Sequence, residues 1–269
     1  MLASRAILCK QTLAVLGQQP AAFVHHGNQG HWGNANVAVV FSGCGWLDGT
    51  DVHEGAYTMY HLSRNGARFQ MFAPNQRQTH VMDHVKKQPA SGENRNVMVE
   101  SARFSHNEGM MQMHDLSKLD VDAFDAIIFP GGHGIIKNLS SFVKDGKDCK
   151  LHQDVERVLK DFHRSQKPIG LSSTAPVLAC RVLPSLEVTM GYEHDDKSLW
   201  GKWPHTNMVQ AVKSMGARHT VREPYEVHVD EKNKVVSTPS FMWETELHYH
   251  YIFDGIGNMV KHVMRMSSK

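Results

Sequence analysis

The chain has 269 residues, of which 41% are hydrophobic and 21% charged, with a formal net charge of +2. That length and balance allow a full buried core and exclude a disordered chain, and no uncharged apolar run is long enough to cross a bilayer. Setting aside Arg5 and Lys10 at the start of the chain takes the 29 basic residues to 27, equal to the 27 acidic ones; a neutral body without a basic stripe argues against nucleic acid as the main partner.

The first acidic residue is Asp48, and ahead of it Leu2, Ala6, Ile7 and Leu13 can form one apolar helical face beside Arg5 and Lys10. An acid-free, weakly amphipathic leader of this kind predicts import into mitochondria, with the matrix as destination. Residues 25–34, rich in His, Gly and Asn, read as linker. The expected organisation is a transit peptide and linker over 1–35, then one domain over 36–269.

Residues 37–41 form a continuous apolar run, as in a strand buried on both faces. A helix is predicted over 51–65, with Val52, Ala56, Met59 and Leu62 on its apolar stripe and Gly66 at its end. Strands are expected at 68–73, 97–103 and 126–129. The helix over 151–165 carries Leu151, Val155, Val158, Leu159 and Phe162 at helical spacing. A strand at 168–171 and a helix from about 174 to 182 follow. Further on come a strand at 187–190, a helix at 208–215, a hairpin of 227–229 with 235–238, and a last helix over about 244–266. This alternation predicts an α/β fold, doubly wound and flavodoxin-like, with a mainly parallel central sheet.

Two stretches carry the chemistry. Residues 167–176, Lys-Pro-Ile-Gly-Leu-Ser-Ser-Thr-Ala-Pro, run from a buried strand through a sharp corner into a helix, the geometry of a nucleophile elbow. The corner residue is Ser173, or Ser172 one position earlier, and neither is cysteine. Serine stays protonated at neutral pH and needs a neighbouring base; as a plain structural residue it would cap the helix. Residues 125–134 run from an apolar strand into a glycine turn, where Gly131 and Gly132 can aim backbone N–H groups at an anion, with Thr174 supplying another across the corner.

These motifs, in this order, resemble the PfpI-like branch of the class I glutamine amidotransferase superfamily. The stretches 42–54, 93–100 and 137–140 narrow the resemblance to the subgroup of the bacterial enhancing-lycopene-biosynthesis protein, an amidotransferase-like glyoxalase, and its mitochondrial vertebrate counterpart. The resemblance spans roughly 36–266. It implies that Glu54 meets the elbow side chain, although Asp51 to Glu54 also has capping-box spacing. The histidine that many members place after the strand following the elbow helix does not carry over. His194, Glu193 or His133 are the candidates for that role, each also readable as an exposed loop residue.

Cys44, in the glycine-rich loop after the first strand, is a candidate pocket residue alongside Ser172, His133 and His194. His80 with His84, and His248 with His250, do not match an established zinc pattern, so no metal and no cofactor is expected. Two functions compete. In one, the protein has lost the thiol and serves as a non-catalytic ligand-binding or regulatory mitochondrial factor. In the other, Ser173 and Glu54 act on a small carbonyl or amide compound in glyoxalase- or hydrolase-like chemistry. The first is preferred. The partners this allows are a small-molecule ligand and a second copy of the chain.

Overall fold

Residues 37–40, 126–129 and 169–172 expose no side chain to solvent, and these runs form the centre of one sheet. The computed structural model describes residues 35–197 and 200–267; the stretch read as a transit peptide lies outside them but for Ala35. The sheet has seven strands: β1 (Asn36–Val40), β2 (Arg68–Ala73), β3 (Met113–Asp115), β4 (Ala126–Phe129), β5 (Ile169–Ser172), β6 (His228–Asp230) and β7 (Val235–Thr238). Their order is β6-β7-β5-β4-β1-β2-β3, and every pair is parallel except β6 with β7.

The sheet grows from β1 through β2 in one direction and from β4 through β5 in the other. Right-handed crossovers therefore place α1 (Val52–Arg64) and α2 (Gln153–Arg164) on opposite faces. Helix α2 buries Val155, Val158, Leu159 and Phe162, the expected stripe. Helix α3 (Pro176–Val182) follows the elbow and packs on α2, and α4 (Thr206–Ser214) packs on α3. The last helix, α5 (Tyr249–Ser267), lies along β5 and β7 and covers α1.

Three expectations need correction, and one strand was not foreseen. The stripe of α1 is rotated: Val52 is 49% exposed and Ala56 is exposed, while Glu54, Gly55, Thr58, His61 and Leu62 are buried. The buried face is small and polar because it closes against α5 and reaches the site. Residues 97–103 are not a strand but a short helix, Val97–Ser101, continued by a 3₁₀ turn, Ala102–Phe104. The Asn96 side chain accepts the Val99 N–H and caps that helix, so local capping outweighs the β-propensity of its valines. Glu187–Val188 pairs with Arg218–His219 in a separate two-stranded ribbon outside the main sheet. The edge strand β3 was not expected; its three residues are too few to show a period.

Candidate functional site

The carboxyl ends of β1, β4, β5 and β7 converge where the sheet order reverses, the usual ligand position in such sheets. After β1, the loop over 42–50 is tied down by Asn138, whose Nδ2 donates to the carbonyls of Ser42 and Asp48 at 2.8 Å each. Asp51 then starts α1: its carboxylate accepts the N–H groups of His53 and Glu54, and its own N–H donates to the Gly131 carbonyl at 2.9 Å. That last bond leaves the Glu54 side chain free of the capping box and turned into the molecule.

Glu54 has no solvent exposure. Its Oε2 accepts the Ser172 hydroxyl at 2.5 Å and the Gly131 N–H at 2.8 Å, and the same N–H lies 3.1 Å from Ser172 Oγ. Burial pushes the Glu54 carboxyl up to about 7, the Asp51 charge adds to the rise, and the bonds from Ser172 and Gly131 oppose it. Ser240, just past β7, also draws it down, yet Glu54 Oε1 and Ser240 Oγ each lack an aligned hydrogen bond. The Ser240 hydroxyl sits beside the carboxyl without pointing at it. A side chain on Gly131 would meet Ser173 Cβ at 2.5 Å and Glu54 Oε2 at 2.7 Å, so only glycine lets the strand pass between them. Gly132, at φ +113°, lies against the Asp51 N–H and the Gly49 carbonyl, leaving no room for a Cβ.

Ser173 stands at the corner between β5 and α3 with φ 56°, a left-handed conformation costly for a non-glycine residue. It is 3% exposed and lines a pocket of about 810 Å³. Among the described residues, nothing hydrogen-bonds its hydroxyl, and the N–H groups of Gly132 and Thr174 likewise donate to no acceptor. The Thr174 hydroxyl donates to the Gly132 carbonyl at 2.9 Å, fixing the two loops side by side. The elbow therefore presents one hydroxyl and two N–H groups to the pocket. Replacing Ser173 with glycine should relieve the corner and stabilise the protein by about 1 kcal/mol, after the extra chain entropy of glycine is offset. Thermal unfolding should show a Tm about 3 °C higher; a lower Tm would mean that the corner is held by the serine side chain.

The structure sorts the other candidates. Glu54 bonds to Ser172, not to Ser173, because the left-handed turn swings consecutive side chains apart. Ser172 is fully buried and does not line the pocket. The Gly131 N–H is committed to Glu54 and Ser172 and is not open to a ligand. Cys44 does not line the pocket; it pairs in a bridge with Thr50, and burial raises its thiol pKa. His194 is exposed and outside the pocket, while Glu193 turns to Lys213 and His219. His133 does line the pocket, its ring 5.3 Å from that of Trp46. Burial, aided by Lys137 and His205, lowers its pKa to about 4, so it is neutral at physiological pH.

His80 and His84 do not share a helical face. His84 Nε2 instead faces the Leu47 N–H at 3.4 Å and Asp48 at 3.7 Å. Among the described residues, no group of three or more His, Cys, Asp or Glu side chains could hold a metal, and no helix is long and apolar enough to cross a membrane. Sequence reasoning missed Ser240, at φ 48° and fully buried, and the pocket residues Trp46, His53, His205, Phe241 and Tyr249. The rule that ligands sit beyond the carboxyl ends of parallel strands pointed to the turn after β7.

A doubly wound parallel sheet with a strained elbow serine, a buried carboxyl beneath it and a glycine turn beside it defines an amidotransferase-like α/β protein. The chain belongs to the mitochondrial glutamine amidotransferase-like class 1 domain family that includes the ES1 proteins. It is 77% identical to the zebrafish (Danio rerio) "ES1 protein, mitochondrial" over 270 residues, covering all of both chains. It is 53% identical to the human "glutamine amidotransferase-like class 1 domain-containing protein 3, mitochondrial" over 235 residues, 87% of this chain and 84% of that protein. Like these relatives it is mitochondrial. Among solved structures, an isoprenoid biosynthesis protein with an amidotransferase-like domain from Ehrlichia chaffeensis superposes with a TM-score of 0.74 at 27% identity, over 86% of this chain and 99% of that one. No protein-family model matches the chain.

Proposed function

We propose that the protein is a non-catalytic ligand-binding or regulatory factor of the mitochondrial matrix, its elbow retained as a recognition element. An import leader over 1–35 ahead of a single domain over 36–269 completes that reading. One observation carries it: the Ser173 hydroxyl has no hydrogen-bonded base among the described residues, while the donors around it open into a pocket. A serine without a base is a poor nucleophile, but a hydroxyl with two N–H groups still binds an oxygen acceptor. His53, the histidine just before Glu54, is tied to Asp51, whose hydrogen bond raises its pKa. His205 lies 3.4 Å from Glu244.

The rival reading has Ser173 and Glu54 acting on a small carbonyl or amide compound. The Glu54 pKa of about 7 favours it, since such a group both takes and gives a proton near neutrality. Turnover of methylglyoxal and of activated esters separates the two. The binding reading expects no rate above buffer for the wild type. A rate that disappears in Ser173→Ala would establish the serine enzyme instead.

A further inference from the structure

We propose that the ligand is a flat aromatic carboxylate or carbonyl compound of about two fused rings, its oxygen at the Ser173 corner and its rings against Trp46, Phe241 and Tyr249. This rests on the ligand-binding reading above and specifies it. The pocket is polarised from bottom to mouth. At depth stand the Ser173 hydroxyl, which is nearly buried and without a partner among the described residues, and the open N–H groups of Gly132 and Thr174. Three donors converging there suit one oxygen-rich acceptor.

The mouth has the opposite character. Trp46 is 38% exposed, Tyr249 37% and Leu247 77%, and all three line the pocket. Phe241 and Tyr249 lie 5.5 Å apart as ring centroids, and His53 lies 5.0 Å from Tyr249, so these rings make one continuous wall. Large apolar side chains left in water around a polar floor mark a surface that a ligand covers.

Size and charge narrow the class. A pocket of about 810 Å³ holds several times the volume of a three-carbon aldehyde and falls in the range that buries drug-sized ligands. No arginine lines it and His133 is neutral; of its three lysines, Lys87 and Lys197 are exposed to solvent and Lys202 is paired with Glu244 at 2.8 Å. A phosphate, which calls for bidentate or clustered cations, is poorly served. A carboxylate or carbonyl oxygen needs only the donors present.

Isothermal titration of the full chain with 2-naphthoate, acetate and 2-naphthylmethanol tests the proposal. The expected result is that 2-naphthoate binds at least tenfold more tightly than either of the others. Trp46→Ala and Phe241→Ala, each checked for folding by circular dichroism, should each weaken 2-naphthoate at least fivefold, and Ser173→Ala should weaken it about threefold. Equal affinity for acetate and 2-naphthoate, or folded wall variants without effect, would overturn the aromatic class and leave a ligand-binding pocket standing. Equal affinity for 2-naphthylmethanol would overturn the oxygen assignment. No binding by any of the three at millimolar concentration would sink the proposal, and an accompanying serine-dependent turnover would sink the binding reading with it.

Discussion

Replacing Glu54 with glutamine should abolish a loss of roughly 3 kcal/mol in stability that the wild type suffers as pH rises from 4.5 to about 7. The carboxyl is fully buried, and its pKa in the folded protein, about 7, lies above the ordinary 4.5. Across that window the folded state holds a proton that the unfolded chain releases. Stability from this group is therefore complete below about pH 4.5, declines as pH rises and levels off above about 7. Glutamine keeps an oxygen to accept the Ser172 hydroxyl and the Gly131 N–H, and its amide can donate toward Ser240 Oγ, which lacks an aligned partner. Groups whose titration does not involve Glu54, such as the half-buried His133 and His219, contribute equally to both proteins, so the difference reports Glu54 together with the smaller effect of its charge on His53. Urea unfolding of both proteins at intervals from pH 4.5 to 7.5 makes the measurement. Parallel curves would mean that Glu54 ionises as freely in the folded protein as in the unfolded chain.

Ser173→Cys should give the protein thiol-dependent activity toward small α-oxoaldehydes, at least about tenfold above a nearly silent wild type, because a thiolate is a nucleophile where a neutral hydroxyl is not. The left-handed corner and the open N–H groups of Gly132 and Thr174 are already in place. A thiol with an ordinary pKa near 8.5 is a few per cent ionised at neutral pH, and the N–H groups favour the anion further. The nearby Glu54 opposes this less than an ordinary carboxylate, since with a pKa of about 7 it is roughly half neutral at that pH. Steady-state assays with methylglyoxal, together with a thiol titration by iodoacetamide, read both effects. A folded variant with a reactive thiol but no turnover would show that the pocket no longer orients a small aldehyde. A fast wild type lost in Ser173→Ala would reveal a base for serine outside the described contacts.

The central strands were legible because a strand buried on both faces needs a continuous apolar run, as in residues 37–41 and 126–129. Helix α2 showed in its period, and the β6–β7 hairpin in the polar turn between two apolar runs. The elbow and the glycine turn were visible for the same reason: a sharp backbone path restricts which residues can stand there, and that restriction is local. The helix at residues 97–101 was hidden because a single cap, Asn96, outweighed the propensity of the residues it caps.

The partner of Glu54 lay beyond local reading. Ser172 and Ser173 are adjacent in sequence, and the φ of 56° at Ser173 sends one hydroxyl to the carboxyl and the other to the pocket. Ser240 and the aromatic wall reach the site from chain segments far from the elbow, so their roles depend on how β7 and α5 pack. Cys44 and His194 were candidates by sequence position, and packing turned both away. By itself, then, the sequence determined the parallel α/β sheet, the serine at its corner and the donors beside it, since each depends on local backbone and burial. Only the tertiary structure decided which hydroxyl the carboxyl holds, what lines the pocket and how large it is, since those depend on side chains brought together across long stretches of chain.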